Sequence, residues 1–140
     1  MRPLWLAAAA LVILSLSPAD VAGQGTPTST SAGVYNRVQA NRGQDVYLTM
    51  CKNCHSAETH TGAAFTTKWN GKALSELYGY ISDQMPKNAP GTLTPEENAD
   101  VLAYVLKLNR MPEGGDELPP DADKMKTIRI QTTTPTRNRP

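Results

Sequence analysis

The 140-residue sequence lacks internal repeats and shows no convincing alternation of apolar and polar residues of the kind that marks a β-strand. It has only two cysteines and two histidines, and its aromatic content is one Phe, five Tyr and two Trp. A small chain with so few large rings buries a modest core unaided, and a large apolar cofactor would add to it. Neither sign of charge is in excess, with 14 Lys plus Arg against 13 Asp plus Glu, so the composition carries no nucleic-acid footprint. The apolar run Leu4–Leu16 falls short of the roughly 18 residues that a membrane-spanning helix needs.

That run has another meaning. Arg2 precedes it, Ser17-Pro18 ends it, and the small residues Ala19, Ala22 and Gly23 follow. A positive start, a short apolar centre and a small-residue exit form the pattern of a secretory signal peptide, expected here over residues 1–23 with cleavage near Gly23. The absence of cysteine around that point excludes a lipid anchor there. The expected location of the rest is periplasmic.

Residues 24–34 are rich in Gly, Ser, Thr and Pro and are expected to form a flexible leader. A domain is expected over 35–112. Asn36 and Gln39 have the spacing of a capping box, and Val46, Tyr47 and Met50 recur at helical intervals up to Cys51. Gly43 costs that helix about 1 kcal/mol relative to Ala, which suggests that another helix approaches closely there. Residues 56–72 read as polar and irregular, with Phe65 and Trp69 as isolated anchors. Leu74, Leu77, Tyr78, Ile81 and Met85 fall on one face of a second helix that Pro86 closes. Thr94, Pro95 and Glu97 then form a capping box with proline at the first helical position. This opens a third helix, apolar on most of its second half and expected to run to about Arg110. An extended C-terminal segment is expected over 113–130, returning to the surface at Met125 and Ile128–Ile130, and a disordered tail over 131–140. The expected fold class is all-α.

The chemistry lies in Cys51-Lys52-Asn53-Cys54-His55. Two cysteines three residues apart on a helix share a face and can add to the two vinyl groups of one haem. The next residue, His55, is then directed at the iron. A thioredoxin-like pair would want a βαβ context that is missing. Zinc could draw only on Cys51, Cys54, His55 and His60, which are too crowded for tetrahedral closure. A Cys51–Cys54 disulfide is chemically possible in an oxidising compartment. One covalent haem c is therefore the expected cofactor. For the sixth iron ligand, His60 is too near His55 to reach the other face of the ring. Met85, held by Pro86, is the candidate, although a methionine at helical spacing is more often core filling.

The segments GVYNRVQANRG (33–43), CKNCH (51–55), Phe65 with Trp69 and Gly71, residues 77–109 and residues 117–130 resemble the class I cytochromes c. In particular they resemble the single-haem cytochromes associated with periplasmic quinoprotein (PQQ) dehydrogenases. The resemblance implies three to four helices around one haem, with the N-terminal helix crossing the C-terminal one near Leu102 and Val105. It also implies His55/Met85 ligation, with Trp69 either reaching a haem propionate or serving as a core residue. Many members place a proline soon after the attachment motif; here the next one is Pro86, so a carbonyl within 61–65 would have to accept the second N–H of His55.

With both axial positions filled by protein, the expected function is outer-sphere transfer of single electrons, without catalysis. The expected partners are a dehydrogenase donor, such as a quinoprotein, and an oxidase or another cytochrome as acceptor. Lys52, Lys68, Lys72 and Lys87 are candidates to ring the haem edge and steer an acidic partner. A haem enzyme or gas sensor with an open sixth position is the alternative, and a structural subunit stapled by its haem is a third.

Overall fold

The structure, a computed structural model, describes residues 28–132; the expected signal peptide, residues 24–27 of the expected leader and residues 133–140 of the expected tail lie outside it. Five α-helices follow one another: α1 (Arg37–Met50), α2 (Gly62–Trp69), α3 (Leu74–Gln84), α4 (Pro95–Leu108) and the single turn α5 (Ala122–Met125). Short 3-10 turns stand at Thr30–Ala32 and Ala57–His60. No strand longer than an isolated bridge occurs among the described residues, and the architecture is small and all-α, as the sequence suggested.

The helix starts follow from local chemistry. The Thr94 hydroxyl accepts the Glu97 N–H at 3.1 Å while the Glu97 carboxylate accepts the Thr94 N–H at 2.8 Å. This reciprocal cap is worth about 1 kcal/mol. At α1 only half of the expected box forms. Asn36 Oδ1 accepts the Gln39 N–H at 2.9 Å, but the Gln39 side chain turns inward. Its Nε2 donates to the Leu118 carbonyl at 2.9 Å and its Oε1 accepts the Leu118 N–H at 2.7 Å. A fully buried amide needs both partners, and the C-terminal segment supplies them.

Helices α1 and α4 form the main interface. Gly43 sits where the two backbones meet, and a Cβ there would collide with the Asp100 carbonyl and lie 2.9 Å from Val101 N. The approach is thus at the Asp100–Val101 peptide, earlier along α4 than the expected Leu102 and Val105; Tyr47 contributes further down, its ring 5.3 Å from that of Tyr104. Asn98 to Leu106 are all buried, as the apolar second half of α4 suggested. Arg42 spans the rim of this interface with two-pronged bonds to Asp100 (2.9 Å each) and to Glu117 (2.8 and 2.9 Å).

Three expectations need correction. Residues 62–69 are helical rather than irregular: Phe65 and Trp69, four apart, are both buried on one face of α2. Residues 28–34 are held in place: Thr30 N–H donates to the Arg129 carbonyl and Arg129 N–H to the Thr28 carbonyl, both at 2.9 Å. Thr30, Val34 and Tyr35 are buried. Finally, Met125, Ile128 and Ile130 belong to the core rather than the surface. The terminal segment threads between residues 28–31 and 71–74, with Gly71 N–H donating to the Ile130 carbonyl (2.7 Å) and Leu74 N–H to the Ile128 carbonyl (2.8 Å).

Candidate functional site

Helix α1 ends at Met50, and the attachment motif continues as a hydrogen-bonded turn instead of regular helix. Cys51 N–H donates to the Tyr47 carbonyl at 2.9 Å, and Cys54 and His55 N–H both donate to the Cys51 carbonyl at 3.1 and 3.0 Å. These bonds repeat a helical turn, so Cys51, Cys54 and His55 all line a single cavity of about 360 Å³. The two thiols are free. Burial, followed by the neighbouring Cys54, pushes the Cys51 thiol above its ordinary pKa.

The other walls come from every major helix. Helix α2 contributes Phe65, Lys68 and Trp69, α3 contributes Leu77, Tyr80 and Ile81, and α4 contributes Val101 and Val105. Met85 caps the C-terminal end of α3 and lines the same space with Pro86, Lys87 and Asn88. Each helix turns one apolar face inward because its buried residues recur at three- and four-residue spacing. Met85 is half-buried and Pro86 buried.

All five residues expected at the site from the sequence (Cys51, Cys54, His55, Met85 and Trp69) therefore border one space. Trp69 is buried against the Tyr80 ring at 5.6 Å, and no hydrogen bond engages its indole N–H among the described residues. The four lysines do not form one ring. Lys68 and Lys87 line the cavity, Lys72 lies over Trp69 and pairs with Glu76 at 3.9 Å, and Lys52 borders a separate hollow with Glu58.

The surroundings of His55 hold His60, five positions on, together with Tyr47 and Asn109, which sequence spacing does not bring to it. The His60 ring lies 5.0 Å from the His55 ring, on the same stretch of wall. Burial, then His55 and Lys68, push the His60 imidazole below its ordinary pKa. Asn109 Nδ2 donates to the His60 carbonyl at 2.8 Å, tying the turn to the end of α4. The Tyr47 hydroxyl donates to the His55 carbonyl at 3.1 Å, and burial, followed by Cys51, Tyr104 and Glu58, raises its pKa to about 12. Tyr47 is thus a neutral donor throughout the physiological range. Its helical spacing marked it as buried, but nothing in the sequence paired it with His55.

Among the described residues no three His, Cys, Asp or Glu side chains gather as a metal site. A haem fits the residues present. The cavity falls within the 300–1,000 Å³ typical of cofactor sites, its walls are mainly apolar, and two free thiols and two candidate iron ligands open onto it.

Residues 38–105 match the family model described as cytochrome c oxidase, cbb3-type, subunit III. The matched stretch runs from the second residue of α1 into α4 and contains the whole attachment motif. No curated protein and no solved structure gives a significant match. The matched domain implies a covalently bound haem c, and Cys51 and Cys54 have the spacing that attachment requires.

Proposed function

We propose that this class I c-type cytochrome domain, a haem-based electron-transfer unit, serves an exported periplasmic carrier whose iron is held by His55 and Met85. The observation that carries the reading is that Cys51, Cys54, His55 and Met85 all line one apolar cavity, although thirty-four positions separate the first from the last. When bound, haem supplies a reversible one-electron iron couple. The protein's share is to hold and insulate it. Cys51 and Cys54 would anchor the group, the Tyr47 hydroxyl steadies the turn that carries His55, and the apolar side chains of α2, α3 and α4 that line the cavity would exclude water from it. A thioether ligand from Met85 supports a relatively positive potential. With His55 and Met85 both holding the iron, no position would be left for a substrate, which favours a carrier over an enzyme or gas sensor.

Periplasmic export rests on the signal pattern of residues 1–23. No helix among the described residues is long and apolar enough to cross a membrane. Donor and acceptor are redox proteins. The resemblance of residues 77–109 and 117–130 favours a dehydrogenase donor of the quinoprotein kind. The family-model description raises association with a terminal oxidase as the other possibility.

Absorption spectroscopy of the exported holoprotein tests the ligation. The native protein is expected to show low-spin haem, the far-red sulfur-to-iron band when oxidised, and little carbon monoxide binding when reduced. Met85→Ala is expected to lose the far-red band and bind carbon monoxide readily. A native protein that is high-spin and takes up carbon monoxide would overturn the carrier reading in favour of an open-site enzyme or sensor. Rapid reduction by a purified quinoprotein dehydrogenase supports that class of donor, and failure of reduction removes it.

A further inference from the structure

The cavity is charged with one sign. Its lining includes Lys68 and Lys87 but no Asp, Glu or Arg. These two lysines are not equivalent. The Lys68 ammonium lies 4.0 Å from the centre of the Tyr80 ring and 4.8 Å from that of Trp69, in the corner between two rings inclined at 62°. Lys87 has no such aromatic contact among the described residues, and neither lysine has a carboxylate partner there. Lys72, the other cation on Trp69, is 5.3 Å from that ring, pairs with Glu76 and does not line the cavity.

An exposed lysine normally samples many rotamers, and fixing it costs rotamer entropy. Two aromatic faces hold Lys68 in one place by attraction between its charge and the rings. Among the described residues no carboxylate pairs with this fixed charge. Haem does offer a use for it: the group carries two carboxylates at the edge remote from its vinyl groups, and the vinyl edge is the one committed to Cys51 and Cys54. Carboxylates beside apolar walls need a cation or strong donors.

We propose that Lys68, pinned by Tyr80 and Trp69, is the counter-ion of a haem carboxylate and a positioning residue that holds the reduction potential up. This rests on the haem site described above. On reduction the iron gains one electron from a redox partner, no bond is made or broken, and the haem becomes more negative by one charge. An uncompensated carboxylate opposes that change, and the fixed ammonium offsets it. Tyr80 and Trp69 act through Lys68 by setting where its charge stands.

Mediated redox titration of the purified holoprotein tests the proposal. Lys68→Gln is expected to favour the oxidised form about tenfold, a fall of about 59 mV for one electron. Lys68→Arg keeps the charge and most of the potential. Tyr80→Ala keeps the charge but frees it, giving a smaller fall in the same direction. Lys72→Gln is the control and leaves the potential near that of the native protein. The Lys68→Gln shift should persist in 0.5 M salt, where a loose surface charge would be screened. An intact low-spin spectrum with an unchanged potential in Lys68→Gln overturns the proposal while leaving the ligation reading standing. Equal shifts in Lys68→Gln and Lys72→Gln overturn it as well, since they report general surface charge. Should Lys68→Gln fail to retain haem, the absence of any shift in Tyr80→Ala decides against the proposal.

Discussion

Gly43 of α1 lies so close to the Asp100 carbonyl of α4 that even one added methyl group has no room. This contact seats the two helices that flank the haem cavity at the distance their side chains require, since Tyr47 below it and Val101 and Val105 opposite it all border that cavity. Gly43→Ala is therefore expected to destabilise the holoprotein by about 2–3 kcal/mol despite the better helix propensity of alanine, because α1 must move away from α4. Denaturant titration would show a lower midpoint; an unchanged or raised midpoint would mean that the interface yields freely.

Arg42 should make the protein sensitive to acid. Its hydrogen bonds hold the Glu117 carboxyl below the ordinary carboxylate range. A depressed folded-state pKa means that the unfolded chain binds the proton more readily, so stability is full above pH 4.5 and declines as pH falls through the folded value. Arg42→Met is expected to cost about 1–2 kcal/mol at neutral pH, less than a fully buried pair because the guanidinium is half open to water. It should also weaken the acid-side slope, as thermal melts between pH 3 and 6 would reveal.

Tyr35 supplies the opposite limb. Its side chain is fully buried, its hydroxyl donates to the Met111 carbonyl at 2.7 Å, and burial followed by the charge of Glu113 raises its pKa to about 12. Between the ordinary value of 10.0 and about 12 the folded state keeps a proton that the unfolded chain releases, so stability is lost as pH rises through that window. Tyr35→Phe should cost about 1–2 kcal/mol near neutrality by leaving the Met111 carbonyl without its donor. The variant should also lose this part of the alkaline dependence, which denaturant melts from pH 8 to 11.5 would measure.

Replacing both attachment residues, Cys51→Ala with Cys54→Ala, is expected to abolish haem staining on denaturing gels. It should also leave the apolar cavity without its covalent occupant, lowering the melting temperature and raising binding of a hydrophobic dye. Retention of haem through denaturation in this variant would show that attachment lies elsewhere.

Local sequence carried much of this architecture because several signals act within one or two turns. The Thr94–Pro95–Glu97 cap, the apolar face of α3 and the encircling hydrophobicity of α4 each specify a helix without reference to the rest of the chain. Gly43 signalled a close approach, though not which peptide it would meet. Helix α2 is hard to read from sequence because its two large apolar residues, Phe65 and Trp69, span a single turn of an eight-residue helix. Gln39 fitted a capping box locally, yet its amide serves Leu118, seventy-nine positions away. That choice depends on burial, which periodicity does not report.

The sequence by itself determined where α1 and α4 begin, which faces of α3 and α4 are apolar and where the two cysteines and His55 stand together, because spacing and side-chain type act over a few residues. Only the tertiary structure decided that residues 28–34 and 128–131 lie side by side, that His60 stands next to His55, and that Lys68 is held between Trp69 and Tyr80. Those relationships arise when helices from distant parts of the chain bury their faces together. The cavity they enclose is a property of that packing and of no single segment.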